Sequence, residues 1–221
     1  MSTGTVHGGW APAGVVFDFG AVVFHWQPLD LLRQVLPARA PDAAAAGRLA
    51  AAIFQGFVPG SDWAAFDLGT VDESALAGRI ARRSGLVADE VLAVIHAVPP
   101  ALVPDAATVA LLYRLKAAGR RLFFLSNMPA PYVLHLRRHH AFLDCFERGI
   151  FSSQVGLMKP ERAIYERAAR EFRFAPGDVP VFIDDAPANV EAARAFGWDA
   201  VPYRDAAQCA AELAARGLLA A

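Results

Sequence analysis

The stretch "GVVFDFGAVVFHWQP", residues 14–28, decides how the rest of the chain is read. Val15, Val16 and Phe17 form an uninterrupted apolar run, the pattern of a strand buried on both faces of a parallel sheet. The run stops at Asp18, and Gly20 follows two places on. A carboxylate ending so greasy a segment either caps a turn or sits at a sheet edge where chemistry is done.

Four similar runs follow: "RLFFLSN" (121–127), "RGIFSS" (148–153), "VPVFIDD" (179–185) and "DAVPY" (199–203). Segments with helical spacing separate them, which predicts an α/β fold with a parallel sheet covered by helices on both faces. One helix should begin near Pro104 and Asp105 and stop at Gly119. Another should open at Pro160, and a third should run from about Pro187 to Gly197.

The interval 28–103 contains no convincing strand. Its pieces "PLDLLRQVL", "DAAAAGRLAAAIF", "SDWAAFDLG" and "DESALAGRIARRSG" read as short helices broken by Pro and Gly. A crossover needs only about a dozen residues, so the interval reads as an inserted helical domain, with residues 1–27 and 104–221 as the core. Because it begins just after Asp18, it would roof whatever lies at the carboxyl ends of the strands. Trp63 and Phe66 are assigned to its interior.

Composition narrows the classes of function. The chain has 221 residues, 55% of them apolar, and a net charge of -1. It is long enough to bury a sizeable core, and its balance of charge argues against nucleic-acid or anionic-membrane partners. The one basic cluster, "HLRRHH" at 135–140, reads as a solvated helix face. Cys145 and Cys209 have no metal-ligand spacing and suit a reducing compartment, so cytoplasm is expected. The start "MSTGTVHGGW" has neither the basic segment nor the apolar core of an export signal, and no apolar run is long enough to span a membrane.

If all strands point the same way, Asp18, Ser126, Asn127, Lys159, Asp184 and Asp185 meet at one sheet edge. Magnesium takes oxygen ligands, few of them from protein, together with phosphate oxygens, and this inventory matches a divalent cation beside a phosphoryl group. Taken singly, Ser-Asn is ordinary turn chemistry and Lys-Pro ordinary helix-start chemistry. Adjacent acids closing an apolar strand are harder to dismiss, since their repulsion calls for a cation or donors.

These stretches, in this order, resemble the haloacid dehalogenase-like (HAD) superfamily of hydrolases. The markers are an aspartate loop, Ser-Asn after an apolar strand, Lys-Pro, and Asp-Asp with an asparagine four residues after the second acid. The resemblance spans essentially the whole chain and implies a Rossmann-like three-layer core with an α-helical cap of the subfamily I type. "FDFGAVVFHWQP" is most similar to the bacterial Asp-x-Gly-x-Val phosphatase branch, which includes a glucose-1-phosphate phosphatase. It implies a magnesium-dependent phosphatase acting on a small phosphorylated molecule, a sugar phosphate among them, through an aspartyl-phosphate. Asp18 would be the nucleophile, while Asp18, the Gly20 carbonyl and Asp185 would serve the metal, with Asp184 either a ligand through water or an orienter of the others. Ser126, Asn127 and Lys159 would hold the phosphoryl group, Lys159 drawing on a helix start at Pro160. Tyr165 is left between packing and hydroxyl donation.

One departure stands out. Many relatives carry a second aspartate, a general acid, where this chain has Gly20, and His25 is the replacement candidate the sequence offers. A 2-haloacid dehalogenase, which uses the same nucleophile without metal, is the main alternative. Gly20 and Val22 stand at its tyrosine and threonine places, and Asp184 and Asp185 at its serines. A phospho-accepting or metal-binding domain without catalysis is the alternative from another class.

Overall fold

The computed structural model describes residues 13–220; the amino-terminal stretch read for an export signal lies outside them. Five strands are formed, all parallel: β1 (Val15–Phe17), β2 (Leu122–Ser126), β3 (Arg148–Phe151), β4 (Val181–Asp184) and β5 (Asp199–Pro202). Their order in the sheet is β3-β2-β1-β4-β5. β1 is central, with Val15 in register with Leu122 on one side and Val181 on the other. The chain therefore reverses its direction of travel across the sheet at β1, the place where open α/β sheets leave a crevice for ligands.

Alternation along the strands makes two apolar faces. Val15, Phe17, Leu122, Phe124, Val181 and Ile183 point to one, and Val16, Phe123, Leu125 and Phe182 to the other. Two of the three helices expected outside the long insertion fall where the punctuation places them. Asp105 caps α6 (Ala106–Ala117) by accepting from the Thr108 amide at 2.7 Å, and Gly119 follows in the left-handed region at φ 72°. α10 (Pro187–Phe196) starts at its proline and ends at Gly197. Between them lie α7 (Ala130–His139), the one-turn α8 (Ser152–Val155) and α9 (Arg162–Glu171), and α11 (Ala206–Ala215) closes the order. α9 begins two residues later than the sequence suggests. Met158 to Pro160 form a turn with a cis Lys159–Pro160 peptide, and Glu161 is the residue before the helix.

The insertion between β1 and α6 is all helical: α1 (Pro28–Val35), α2 (Ala43–Phe54), α3 (Asp62–Asp67), α4 (Glu73–Ser84) and α5 (Ala88–Ala101). α5 is its longest helix and is absent from the pieces legible in the sequence. Pro99 and Pro100 resemble a break, yet they occupy its final turn, while Val91, Val94, Ile95 and Val98 bury one stripe. The chain enters and leaves the insertion side by side. The His25 amide donates to Val103 and the Asp105 amide to Val23, both at 2.9 Å. One apolar cluster continues from the sheet through Phe19, Val23 and Phe24 into Leu32, Ile53, Trp63 and Val94 of the insertion. No helix among the described residues is long and apolar enough to cross a membrane.

Candidate active site

β1 delivers Asp18 to the carboxyl edge of the sheet, where its amide donates to the Ile183 carbonyl at 2.9 Å. The turn after it is tight: the amides of Val22, Val23 and Phe24 all donate to the Phe19 carbonyl. Phe19 fixes that turn from below, its ring 4.6 Å from Phe124 and 5.5 Å from both Phe24 and Phe151. Aromatic contacts of this kind each add about 0.5–1.5 kcal/mol beyond area burial. Gly20 lies outside the left-handed region, and a Cβ there would meet no atom within 4 Å. The strained place is Ala21, at φ 57°.

Lys159 is buried at the centre. Its Nζ lies 2.7 Å from Asp18 Oδ1 and 2.6 Å from Asp184 Oδ2. Its backbone is clasped by Asn127, whose Oδ1 accepts from the Lys159 amide at 2.9 Å and whose Nδ2 donates to the Lys159 carbonyl at 3.0 Å. Asp184 is fully buried. Its Oδ1 also accepts from the Ala186 amide at 2.9 Å and from Asn189 Nδ2 at 3.0 Å. Asp185 is exposed to solvent, and one ligand atom each from Asp18, Asp184 and Asp185 lie within 4.8 Å of one another.

Charge follows from this geometry. Burial pushes the Asp18 carboxyl up, Lys159 opposes, and Asp184 and Asp185 push it further up. Partial loss of solvent at its inner side raises Asp185 too, with Asp184 adding repulsion. Burial disfavours the Lys159 ammonium, but Asp18 and Asp184 more than offset it and hold its pKa above the ordinary lysine value. Three carboxylates around one ammonium leave two negative charges unbalanced, so the donor set fits a divalent cation with oxygen ligands.

Not every residue singled out in the sequence reaches this centre. Ser126 is buried at the end of β2 and does not line the cleft in front of Asp18, and the side chain of Asn127 is spent on Lys159. The helix-start contribution expected at Lys159 is weakened, because α9 begins at Arg162. His25 faces away, into a separate depression beside Tyr203, with its Nε2 3.6 Å from Asp105 Oδ2 and its side chain half exposed. Its neighbour Trp26 lines that depression and the cleft as well. Tyr165 is buried against Phe182 and Trp198 and donates its hydroxyl to the Asn189 carbonyl at 3.0 Å, which braces the loop that holds Asp184.

The cleft above Asp18 has a volume of about 340 Å³ and is roofed by the insertion. Trp63, packed against Phe54 and Phe66 as the sequence suggests, also lines it. So does Asp67, which the sequence reading missed. Asp67 is buried, its carboxyl has no hydrogen-bond or ion-pair partner among the described residues, and burial followed by the charge of Asp18 raises its pKa to about 8. The Asp67 carbonyl is held by the Ser152 hydroxyl at 2.5 Å, and the same hydroxyl accepts from the Met128 amide at 2.9 Å, so roof and floor are tied by one buried serine. A signal for Asp67 existed: it stands four residues after Trp63, on the buried face of α3.

Paired carboxylates and a buried lysine at the carboxyl edge of a parallel sheet, under a helical roof, make an enzyme site of the α/β class. The haloacid dehalogenase-like hydrolase family matches residues 15–197, and the chain belongs to that family. It is 28% identical to a sesquiterpene phosphatase of Aspergillus oryzae over 90% of this chain and 93% of that one. Its fold is similar to that of a HAD family enzyme from Bacteroides thetaiotaomicron solved in complex with magnesium and inorganic phosphate. That match has a TM-score of 0.64 at 17% identity, over 86% of this chain and 93% of that one. It is also similar to L-2-haloacid dehalogenase from Xanthobacter autotrophicus, with a TM-score of 0.63 at 20% identity over 92% and 83% of the two chains.

Proposed function

We propose that the protein is a magnesium-dependent phosphatase that hydrolyses a small phosphomonoester through an aspartyl-phosphate on Asp18, residues 28–103 acting as the cap. The observation that carries this is the buried Asp18–Lys159–Asp184 cluster, with Asp185 beside it, opening onto a cleft. A halo-carboxylate brought to three acids and one lysine would be repelled, whereas a phosphoryl group arriving with a cation is accommodated. The sesquiterpene phosphatase relative supports an organic phosphate ester as substrate.

Asp18, the Gly20 carbonyl and Asp185 would hold the magnesium, with Asp184 orienting through its bonds to Lys159 and Asn189. Bound there, the ion supplies positive charge to the phosphoryl oxygens. The chain's own groups do the rest. An oxygen of Asp18 attacks phosphorus, the P–O bond to the alcohol breaks, and the departing oxygen takes a proton from Asp67, the carboxyl that stands in for the acid missing at Gly20. The Asp67 carboxylate then takes a proton from the water whose oxygen attacks the same phosphorus. The Asp18–phosphorus bond breaks, orthophosphate leaves, and both aspartates are restored. Lys159 opposes the negative charge that gathers on approach, and its place is set by Asn127. The phosphoryl end accepts any monoester, the sugar phosphate suggested by the sequence resemblance included. A cytoplasmic setting belongs to the same proposal, since Cys145 and Cys209 are buried free thiols.

Phosphate release from p-nitrophenyl phosphate, with and without magnesium, tests the reading. Metal-dependent release is expected. Metal-independent halide release from a 2-haloacid, with no phosphate release, would assign the site to dehalogenation instead.

A further inference from the structure

We infer that the alcohol carried by the substrate is apolar, a hydrocarbon monophosphate rather than a sugar phosphate or a nucleotide; this rests on the phosphatase reading of the same site. The wall above Asp18 is built from Trp26, Phe57, Val58, Trp63, Val98 and Leu102. The aromatic members pack as one group, the Phe57 ring 6.0 Å from Trp26 and 6.2 Å from Trp63.

The polar inventory of the cleft decides between alcohols. The Tyr132 hydroxyl donates to the Ile95 carbonyl at 2.8 Å, so only its ring is offered to a ligand. Asn127 is committed to Lys159, and Asn189 to Asp184. Among the described residues Lys159 is the one cationic side chain lining the cleft, and it is committed to Asp18 and Asp184, which leaves no partner there for a second anionic group. On the wall, indole N–H groups and the Asp67 carboxyl remain, and Asp67 lies beside Asp18 at the phosphoryl end. A sugar buried here would lose water from several hydroxyls and find too few replacements, at roughly tenfold in affinity for each hydroxyl left unpaired.

The rim points the same way. Gln55, Gly56 and Phe57 run consecutively through the left-handed region at φ 50°, 63° and 56°. Side chains disfavour that conformation, and such strain is held where a function keeps it. Its result here is that the turn carries Phe57 to the cleft and leaves Val58 at its mouth 55% exposed. Val58 thereby extends the apolar wall of Trp26, Phe57 and Trp63 to the mouth of the cleft.

The test is kcat/KM, with magnesium, for n-alkyl monophosphates from ethyl to octyl, phenyl phosphate, glucose 1-phosphate and glucose 6-phosphate. Values should rise by about fourfold for each buried methylene until the cleft is filled. Octyl phosphate should exceed both glucose phosphates by at least about 10²-fold. Val58→Asp, a change at an exposed position that the fold tolerates, should lower the octyl value at least tenfold and flatten the chain-length series. Inhibition constants of alkylphosphonates, which cannot be cleaved, should fall with chain length in parallel. A flat alkyl series, or glucose phosphates within tenfold of octyl phosphate, overturns the inference and leaves the phosphatase reading intact. Failure to cleave any ester, phenyl phosphate included, overturns both.

Discussion

The floor and the roof of the cleft are built on opposite plans. On the floor the two buried acids have company: Asp18 and Asp184 share Lys159, and Asp184 takes three further donor contacts from Ala186 and Asn189. The roof is aromatic and carries a single carboxyl, Asp67, with no partner among the described residues. Burial raises both carboxyls, but Lys159 holds Asp18 at about 7 while Asp67, without such a partner, reaches about 8, and a cation at the floor would draw the remaining proton from Asp18 alone. One region is therefore equipped to handle negative charge, and the other to supply a proton to an apolar alcohol. The difference also teaches that nucleophile and acid, adjacent in the motif of many relatives, are divided here between two parts of the fold.

The hardest blow to this division is Asp18→Asn. Turnover of every phosphate ester should fall by at least about 10⁴-fold, since the covalent route is lost. The protein should remain folded, because the change is nearly isosteric and removes one of several crowded carboxylates. Phosphate release together with a thermal melt checks both statements, and activity above trace would remove Asp18 from the nucleophile's role.

Lys159→Met comes next and probes the floor alone. It should lower kcat/KM for all esters by about 10³-fold, through lost stabilisation of charge in the transition state. It should also destabilise the metal-free protein by about 3 kcal/mol, because Asp18 and Asp184 lose their shared counter-charge. Urea melts with and without magnesium measure this, and the cation should restore part of the loss. An unchanged midpoint without metal would mean that the two acids are not ionised together.

Asp67→Asn probes the roof and should discriminate between leaving groups. In kcat/KM, which ends at departure of the alcohol, alkyl phosphates, whose alkoxides leave poorly, should fall by about 10²-fold or more and p-nitrophenyl phosphate by less than about threefold, while kcat falls for both because Asp67 also activates the water. Gly20→Asp should rescue the alkyl esters, since a side chain there meets open space and the backbone lies outside the left-handed region. His25→Ala should leave the ratio of the two rates unchanged, because His25 faces Asp105 in another depression. An equal fall in kcat/KM for aryl and alkyl esters in Asp67→Asn would reduce Asp67 to a structural role.

The same contrast explains what could be read from the sequence. Floor residues sit at strand ends, and a strand followed by an acid is a local pattern, so the meeting of Asp18, Asp184 and Asp185 at one sheet edge is legible from short apolar runs. Lys159 was placed through its order in the motif, although not its hydrogen-bond network, because Asn127 clasps it from another strand's end. The roof is set by how five helices pack, and no local pattern reports that. The direction of Trp26 relative to His25, and of Asp67 relative to Asp18, depends on contacts between segments far apart in the chain. α5 was missed for a related reason: its proline pair reads locally as a stop, and only packing of the Val91–Val98 stripe shows that the helix continues.

The smallest expected effect is on stability, and its sign is fixed by Asp67. Its folded pKa is raised to about 8 from an ordinary 3.8. Between these values the folded protein keeps a proton that the unfolded chain has released, so unfolding releases it and stability falls as pH rises. The contribution of this group is complete below about pH 4 and lost as pH climbs through about 8, where the buried carboxylate must form. Asparagine carries no such charge. In metal-free buffer the melting temperature of Asp67→Asn should match the native protein's near pH 4. It should pull ahead steadily above pH 5 and level off beyond pH 9, at an advantage of at least about 3 °C, equivalent to ~1 kcal/mol in a domain of this size. Asp18 and Asp185 push in the same direction, so both proteins should lose stability toward alkaline pH, and the difference between the two curves isolates Asp67. Parallel curves across the whole range would mean that the carboxyl is already ionised at neutral pH, and the roof would then hold a charge and not a proton.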